Sequence, residues 1–274
     1  MTHTNSSPNP TVKNILKTEQ IIRFDADQTL SQALPHLTSS HDSAFVFDGD
    51  KFIGVVSPYF VLKSRSFKEG SKLKSCVMMP KKMHLDDSFS EVATAMLNSK
   101  IHYLPAVDDN GDFVGIVSIK RMLEYIVEHK LKHDNGTIIF SDRELISVDP
   151  EMKLSQAMAL MKSEKVSRLP VTNGGGRIIG MLSQYDIADM VDDQQSAGRF
   201  DKRGEKSSML DDVVKNHMIK MVFTIDHVPS FTEATRLMLD KGIGSLVIVD
   251  KNEIPMSIVT KRDLLNTIAQ SSKV

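Results

Sequence analysis

The sequence has a single cysteine, no tryptophan and no excess of charge of either sign. Its 34 lysines and arginines are balanced by 35 aspartates and glutamates, which gives a formal net charge of −1. This balance excludes the basic footprint typical of nucleic-acid-binding proteins. One cysteine, Cys76, excludes an internal disulfide framework and favours a reducing compartment. We therefore expect a cytoplasmic protein that does not bind nucleic acid.

Long apolar runs are also missing. No segment approaches the roughly 18 apolar residues of a membrane span, and the polar residues 1–10 contain no signal-peptide core. The 274 residues, of which 41% are hydrophobic, suit about two globular domains. No nucleophile–base pair and no cluster with metal-ligand spacing stands out. The sequence thus predicts a non-enzymatic protein without a membrane span and without a catalytic cofactor.

One pattern recurs along the chain: an apolar strand, a turn, a second strand ending in Gly-x-x-Ser, and the start of a helix. The copies are Asp48–Ser57, Asp108–Ser118, Arg168–Asp186 and, more loosely, Asp250–Thr260, where Ser257 replaces the glycine. An amphipathic helix precedes each copy, starting at Leu30, Phe89, Leu154 and Phe231. The helix starts lie at nearly the same distance ahead of each strand, and this regularity predicts an internal repeat.

Each repeat is predicted to be a β-α-β-β-α unit, which places the chain in the α+β class as a set of α/β repeat units. One unit is too small to bury its own sheet, so we expect a first pair (repeats one and two) and a second pair (repeats three and four). The predicted boundaries are a disordered tail at 1–12, repeats at 13–66, 73–130, 138–192 and 209–270, and a polar linker at 193–208.

The repeats resemble CBS domains, which pair as Bateman modules. The resemblance covers almost the whole chain and rests on Leu104-Pro105-Ala106, on Leu169-Pro170-Val171, on the Gly-x-x-Ser strand ends and on Ser/Thr-x-x-Asp at the last helices. It implies four repeats forming two Bateman modules. Because the sequence stops shortly after the fourth repeat, we expect no fused effector domain and a regulated partner protein in trans.

The resemblance also implies a ligand. CBS domains commonly bind adenine nucleotides or S-adenosylmethionine between paired repeats, so we expect AMP, ADP or ATP, with S-adenosylmethionine as an alternative. The ribose-binding signature matches Ser183-Gln-Tyr-Asp186 and Thr260-Lys261-Arg262-Asp263. A carboxylate suits this position because it can accept hydrogen bonds from two hydroxyls. The corresponding Ser57-Pro-Tyr-Phe60 and Ser118-Ile-Lys-Arg121 lack the acid, so the resemblance assigns the ligand to the second pair.

Further contacts follow from the same resemblance. Ser147 and Thr224 stand where the family places a hydroxyl contact, and Pro170 belongs to the Leu-Pro-Val strand. Arg168 stands where relatives often hold a phosphate, and Ser245 is aligned with it in the fourth repeat.

A ligand-free structural scaffold is the competing hypothesis. Ser/Thr-x-x-Asp is close to a capping box, in which the hydroxyl and the acid only satisfy backbone N–H groups. Lys261 and Arg262 would oppose the helix dipole unless an anion lies nearby. In either case we expect the last helices of the repeats to join the pairs, as an intrachain two-module disc or as a homodimer.

Overall fold

Short strands and helices follow one another in the order that the sequence predicts. The computed structural model describes residues 9–37, 42–58, 60, 70–131, 137–139, 145–183 and 209–271. The predicted linker at 193–208 and most of the predicted tail lie outside these residues. In the described part of the chain, no helix has the length and apolar character needed to cross a membrane.

Small sheets form around the predicted hairpins. Their strands are β1 (Arg23–Asp25), β2 (Ala44–Asp48), β3 (Lys51–Val56), β4 (Met83–His84), β5 (Tyr103–Val107), β6 (Phe113–Ser118), β7 (Arg168–Thr172), β8 (Ile178–Ser183), β9 (Thr224–Ile225), β10 (Ser245–Val249) and β11 (Pro255–Thr260). In each three-stranded sheet the first strand pairs parallel with the second, which pairs antiparallel with the third. The predicted hairpins are confirmed.

The sheet formed by β7 and β8 has two strands, and here one prediction is wrong. Residues 145–148 do not form an extended strand, because of these four residues only Val148 pairs, in a single parallel bridge to Val171. The four described hairpins nevertheless share one irregularity near the turn. The register shifts at Val46/Phe47, Ala106/Val107, Val171/Thr172 and Ile248/Val249. A shared bulge position supports the internal repeat.

The helices are α1 (Val12–Ile15), α2 (Leu30–Ala33), α3 (Phe89–Ser99), α4 (Ile119–Glu128), α5 (Leu154–Glu164), α6 (Phe231–Asp240) and α7 (Lys261–Gln270). The predicted helix at Leu30 is short: a 3-10 turn, Leu34–His36, follows α2. Pro35 accounts for the break, since it has no backbone N–H to continue the α-helix. The predicted cap at Ser118 is confirmed, because its Oγ accepts a hydrogen bond from the backbone N–H of Arg121 at 3.3 Å.

The segment that precedes a repeat packs on the other repeat of its pair. We call residues 11–17, 72–78 and 213–219 the crossing segments; they lie on the second, first and third repeats respectively. Each ends in a bridge to the last strand of a hairpin, namely Lys17 to Ile116, Met78 to Val55 and Ile219 to Met181. Each also carries a lysine paired with an acid of the other repeat: Lys13–Asp86 at 2.6 Å, Lys74–Asp27 at 2.8 Å and Lys215–Glu151 at 2.6 Å. The crossing segments therefore tie the two repeats of a pair to each other.

The crossing segments explain the glycine that marks the first three repeats. A Cβ at Gly54 would lie 2.7 Å from the carbonyl oxygen of Met78, and one at Gly115 would lie 2.5 Å from that of Lys17. At Gly180 it would lie 2.4 Å from the Sδ of Met218. A side chain at any of these positions would collide with the crossing segment, and at Gly54 and Gly115 the close approach of backbone requires glycine.

The first crossing segment also shortens the predicted tail. Pro10 is buried, Val12 is fully buried, and Thr11 bridges to Ser88. The prediction of disorder up to residue 12 is thus wrong for residues 10–12, because α1 packs its apolar side chains on the second repeat.

The chain divides into two compact units. The first unit contains Met1–Phe140, Ser230–Gly242 and Lys261–Val274, and the second contains Ser141–Pro229 and Ile243–Thr260. In the first unit α7 packs on α3 and α6 packs on α4. In the second unit Met181 of β8 packs with Val247 and Val249 of β10, which joins the two sheets. The strands of repeats three and four thus share the second unit, whereas the helices of the fourth repeat lie in the first.

Candidate functional site

Two predicted ligand positions of each repeat in the second pair are cross-strand neighbours. Arg168 of β7 lies opposite Ser183 of β8, and Ser245 of β10 lies opposite Thr260 of β11. Both pairs stand at the open end of a hairpin, where the last strand leads towards a helix. The hairpin register therefore brings the predicted phosphate position next to the hydroxyl that opens the ribose signature.

Arg168 connects the two repeats of the second unit. Its side chain is half-buried and its Nη2 lies 3.1 Å from the point that a Cβ on Gly244 would occupy. Gly244 immediately precedes Ser245, so the absence of a side chain leaves room for the guanidinium beside β10. A permanently charged group thus lies at the join between β7 and the start of β10.

Ser147 and Pro170 adjoin the same hairpin. The backbone N–H of Val148, next to Ser147, donates to the carbonyl of Pro170 at 2.9 Å. The exposed Ser147 hydroxyl accepts a long hydrogen bond of 3.4 Å from Thr172. Pro170 itself is buried opposite Met181. The hydroxyl of Ser147 thus lies at the surface, whereas Pro170 is buried within β7.

Thr224 lines a pocket of about 150 Å³ in the second unit. The other lining residues are Ile178, Ile179, Lys220, Val222 and Glu253. The lining thus combines apolar residues with one lysine, one glutamate and one threonine. Whole small-molecule sites are usually about 300–1,000 Å³, so this pocket has room for one part of a ligand such as a base or a sugar.

Lys220, Val222 and Glu253 belong to no motif that predicts a ligand contact. One signal was present: Lys220, Val222 and Thr224 alternate, and alternate residues of an extended segment face the same side. The contribution of Glu253 depends on the approach of two hairpins, in which the backbone N–H of Ile178 donates to the Glu253 carbonyl at 3.0 Å.

The rest of the predicted set lies elsewhere. Asp186 is outside the described residues. Lys261, Arg262 and Asp263 form the first turn of α7, in the first unit. Arg262 is exposed and Asp263 is half-buried. The carbonyl of Asp263 accepts a hydrogen bond from the Thr267 hydroxyl at 2.8 Å.

Hydrogen bonds hold two carboxylates of the second unit in their charged form. Backbone N–H groups of Ile254 and Asn252 lower the pKa of Asp250, which opens the turn between β10 and β11. Just before the third crossing segment, the hydrogen bond from His217 lowers the pKa of Asp212, with the two side chains 2.7 Å apart. Among the described residues, no three histidine, cysteine or carboxylate side chains form a group that could hold a metal ion.

The first pair has different residues at the corresponding places. Arg23 pairs with Phe45 as Thr224 pairs with Val247, so Arg23 takes the position of the expected hydroxyl. Its guanidinium carbon lies 4.3 Å from the centre of the Phe47 ring. Phenylalanine rings of β2, β3 and β6 pack together there with centroids 5.1–6.1 Å apart: Phe45, Phe47, Phe52 and Phe113.

Arg121 stands where the ribose signature has its acid, and it serves the first crossing segment. Its Nε donates to the carbonyl of Ile15 at 2.9 Å. The departure from the signature in the second repeat therefore has a structural use.

The fold defines a protein of paired α+β repeats with a pocket of about 150 Å³ in its second unit. Residues 77–128, 138–193 and 212–270 match the family model described as the CBS domain. These segments span more than half of the chain, which therefore belongs to the CBS-domain family. The sheet of β1, β2 and β3 lies outside the matches, although its strand order repeats that of the second sheet.

Two relatives show how far the likeness extends. The chain is 25% identical over 272 residues to the uncharacterized protein MJ1404 of Methanocaldococcus jannaschii, in a match that covers 97% of this chain and 63% of that protein. It is 23% identical over 203 residues to the 5′-AMP-activated protein kinase subunit gamma-3 of Sus scrofa, covering 68% of this chain and 37% of that subunit. The chain thus spans less than two thirds of the length of both relatives.

Among solved structures, protein MJ1225 of Methanocaldococcus jannaschii superposes with a TM-score of 0.71 at 16% identity. The match covers 94% of this chain and 99% of that one. At this identity the likeness concerns the fold alone, and it supports the α+β repeat architecture.

Proposed function

We propose that this protein is a regulatory sensor that binds an adenine nucleotide, AMP, ADP or ATP, in the second pair and signals to a partner protein in trans. The single observation that carries the proposal is the mixed apolar and polar pocket around Thr224, within the unit that also holds Arg168, Ser183, Ser245 and Thr260. Apolar walls suit a base, and a cation suits a phosphate. The sensor would have no catalytic role and would act in the cytoplasm.

The homology supports the regulatory part of the proposal. The porcine relative is named as a subunit of the 5′-AMP-activated protein kinase, and its match covers 68% of this chain. For this chain we propose Asp186 and Asp263 as the ribose-binding acids, with Ser147 and Thr224 as hydroxyl contacts and Arg168 on the phosphate. Four repeats in two modules, joined within the chain or across a homodimer, complete the proposed architecture.

The signal would be a population shift. A ligand that fits one arrangement of the two second-pair sheets better than another shifts the equilibrium towards that arrangement. Lys220 and Val222 directly follow the third crossing segment, which bridges to β8 through Ile219 and Met181. Ligand contacts at the pocket would therefore bias the position of this segment and of the surface it forms.

The experiment uses the intact chain, because the helices of the fourth repeat pack in the first unit. AMP, ADP or ATP should raise the melting temperature, since a ligand that binds only the native state stabilises it by mass action, by about 2.7 kcal/mol at a hundredfold excess over Kd. D186A and D263A should each weaken binding about tenfold or more. R168A should weaken AMP more than adenosine, because a hydrogen bond to a charged group is worth about 1.5–3 kcal/mol.

Arg23→Ala is the matched control, since this exposed arginine occupies the hydroxyl position of the first pair. It should leave nucleotide affinity unchanged. Failure of the intact protein to bind every adenine nucleotide at millimolar concentration would refute the nucleotide sensor. Binding of S-adenosylmethionine alone would redirect the proposal to that ligand.

One observation favours the ligand-free scaffold. Ser118, at the start of the corresponding motif in the second repeat, is an N-cap, and Ser88 with Glu91 forms a capping box in the same repeat. Hydroxyl and acid residues with this spacing thus serve helix ends in this chain. If D186A and D263A lower the melting temperature equally with and without nucleotide, their role is capping.

A further inference from the structure

The turn between β10 and β11 contains a strained residue that its counterparts avoid. In three hairpins the first turn residue accepts two backbone N–H groups through its side chain: Asp108, Asn173 and Asp250. Three residues later the backbone of each turn takes a left-handed conformation, with φ of +83° at Gly111, +79° at Gly176 and +63° at Glu253. Glycine adopts this conformation freely, whereas a glutamate is strained in it.

The turn itself does not require the glutamate. The backbone N–H of the left-handed residue donates to the first turn residue in all three cases, at 3.0 Å for Gly111, 2.8 Å for Gly176 and 3.0 Å for Glu253. The carbonyl of Glu253 accepts from Ile178, but glycine would supply the same carbonyl. Backbone strain kept without a backbone reason often marks a functional position.

An ion pair does not explain the glutamate either. Its Oε2 lies 3.8 Å from Nη1 of Arg177, and the two side chains are 69% and 60% exposed. Exposed pairs at this distance contribute little to stability because water screens them.

The pocket does offer a reason. Glu253 lines it together with Lys220 and Thr224. Lys220 makes no hydrogen bond or ion pair with any residue that the structure describes, so a lysine and a glutamate line this pocket without pairing with each other. Glu253 is the one residue of this lining that carries a carboxylate.

We propose that Glu253 is a ligand-binding residue of the second pair, whose carboxylate accepts a hydrogen bond from the bound nucleotide. The inference rests on the proposed function and adds a residue and a chemistry to it. A carboxylate requires a donor on the ligand, which a purine supplies as its exocyclic amine and a ribose supplies as its hydroxyls. Strain in the free turn would thus be retained because the side chain contributes to binding.

The test compares stability and affinity in the intact protein. Glu253→Gly should raise the melting temperature without ligand by roughly 2–4 °C, because it relieves the left-handed strain. The same change should weaken AMP binding, measured by calorimetry, by about three- to tenfold, because a charged acceptor is lost. Glu253→Gln, which keeps the strain and the shape, should weaken binding without raising the melting temperature.

Lys165→Gly is the matched control. Lys165 follows α5 with a φ of +56°, and it is an exposed residue outside the pocket lining. This change should raise the melting temperature as Glu253→Gly does and leave AMP affinity unchanged. Equal AMP affinity for the wild type and Glu253→Gly overturns the inference, and so does a fall in melting temperature for Glu253→Gly. A wild type that binds no nucleotide overturns the proposed function, and the inference with it.

Two analogues locate the donor. If the carboxylate accepts from the amine, Glu253→Gly should reduce the preference for AMP over IMP, which lacks this amine. If it accepts from the ribose, the variant should reduce the preference for AMP over 2′-deoxy-AMP. A loss of affinity that leaves both preferences intact contradicts the hydrogen bond.

Discussion

Corresponding positions of the first and second pairs carry different side chains, with aromatic rings in the first pair and aliphatic residues in the second. In the first pair Arg23 lies over Phe47, and a group of phenylalanine rings occupies the region between the sheets. In the second pair the residue that corresponds to Arg23 is Thr224, which faces a pocket with small aliphatic walls. The same backbone register thus supports a packed aromatic interface or an open site.

The two pairs meet two different needs of a repeated fold, namely a stable core and room for a ligand. Aromatic side chains bury a large area and favour tilted or edge-to-face contacts, which makes the first pair a source of stability. At the same positions the second pair has Val247 and Val249, which pack on Met181 as a smaller apolar cluster. The absence of the ribose acid in the first pair, where Arg121 instead binds Ile15, follows the same division.

Removal of the Phe47 ring should lower the free energy of unfolding more than any of the substitutions that follow. Phe47 is 3% exposed, so Phe47→Ala should lower the free energy of unfolding by about 3–5 kcal/mol. The corresponding residue of the second pair, Val249, should lose only about 2 kcal/mol on mutation to alanine, since fewer methyl-sized groups are removed. Urea denaturation measures both. Equal losses would show that the aromatic group adds nothing beyond an ordinary core.

Adding one methyl group at the crossing segments should have a smaller effect. Gly115→Ala places a Cβ against the backbone oxygen of Lys17, which can move only with its segment, so we expect a loss of about 1–3 kcal/mol. Gly180→Ala should cost less, because the nearest atom belongs to the flexible side chain of Met218. Gly174→Ala, with no atom within 4 Å, is the control and should be neutral in thermal denaturation. A neutral Gly115→Ala would contradict the crossing-segment explanation.

The smallest expected effect is a pH-dependent change in melting temperature, caused by Asp27 of the first pair. Hydrogen bonds from Lys72 and then Lys74 lower the pKa of Asp27 from 3.8 to about 2. A carboxyl with a lowered pKa in the folded state stabilises above its unfolded pKa and loses this contribution as the pH falls through its folded pKa. Asp27→Asn should therefore lower the melting temperature slightly at pH 7, and its difference from the wild type should vanish between about pH 4 and pH 2.

Because Asp27 is exposed, the same difference should shrink in 1 M salt. Asp109→Asn, at an exposed turn, is the control. A difference for Asp27→Asn that persists at pH 2 would show that its ion pairs are not the cause.

The sequence alone was sufficient for the repeat, the hairpins and the family. The periodic apolar residues of α3 and the turn at Asn110-Gly111 are local signals, because helix faces and tight turns depend on nearby residues. Helix α2 and residues 145–148 were less predictable. Pro35 interrupts helix α2, and residues 145–148 pair with β7 through Val148 alone.

The candidate site was predictable only in part. The strand register places Arg168 beside Ser183 and Ser245 beside Thr260, so residues that were chosen by motif are cross-strand neighbours in each hairpin. Glu253 was not predictable, since it reaches the pocket through the approach of a turn to Ile178 about 75 residues earlier in the chain. The boundary of the tail failed for a similar reason, as Val12 is buried by a repeat that begins far downstream.

The sequence by itself determined the repeated strand and helix units, since spacing and turn residues act over a few positions. Only the tertiary structure decided which repeat each crossing segment joins, and with it why Gly54, Gly115 and Gly180 carry no side chain. It also decided which pair is packed with rings and which keeps a pocket. These outcomes depend on distances between residues far apart in the chain, and such distances follow from packing the sheets against each other.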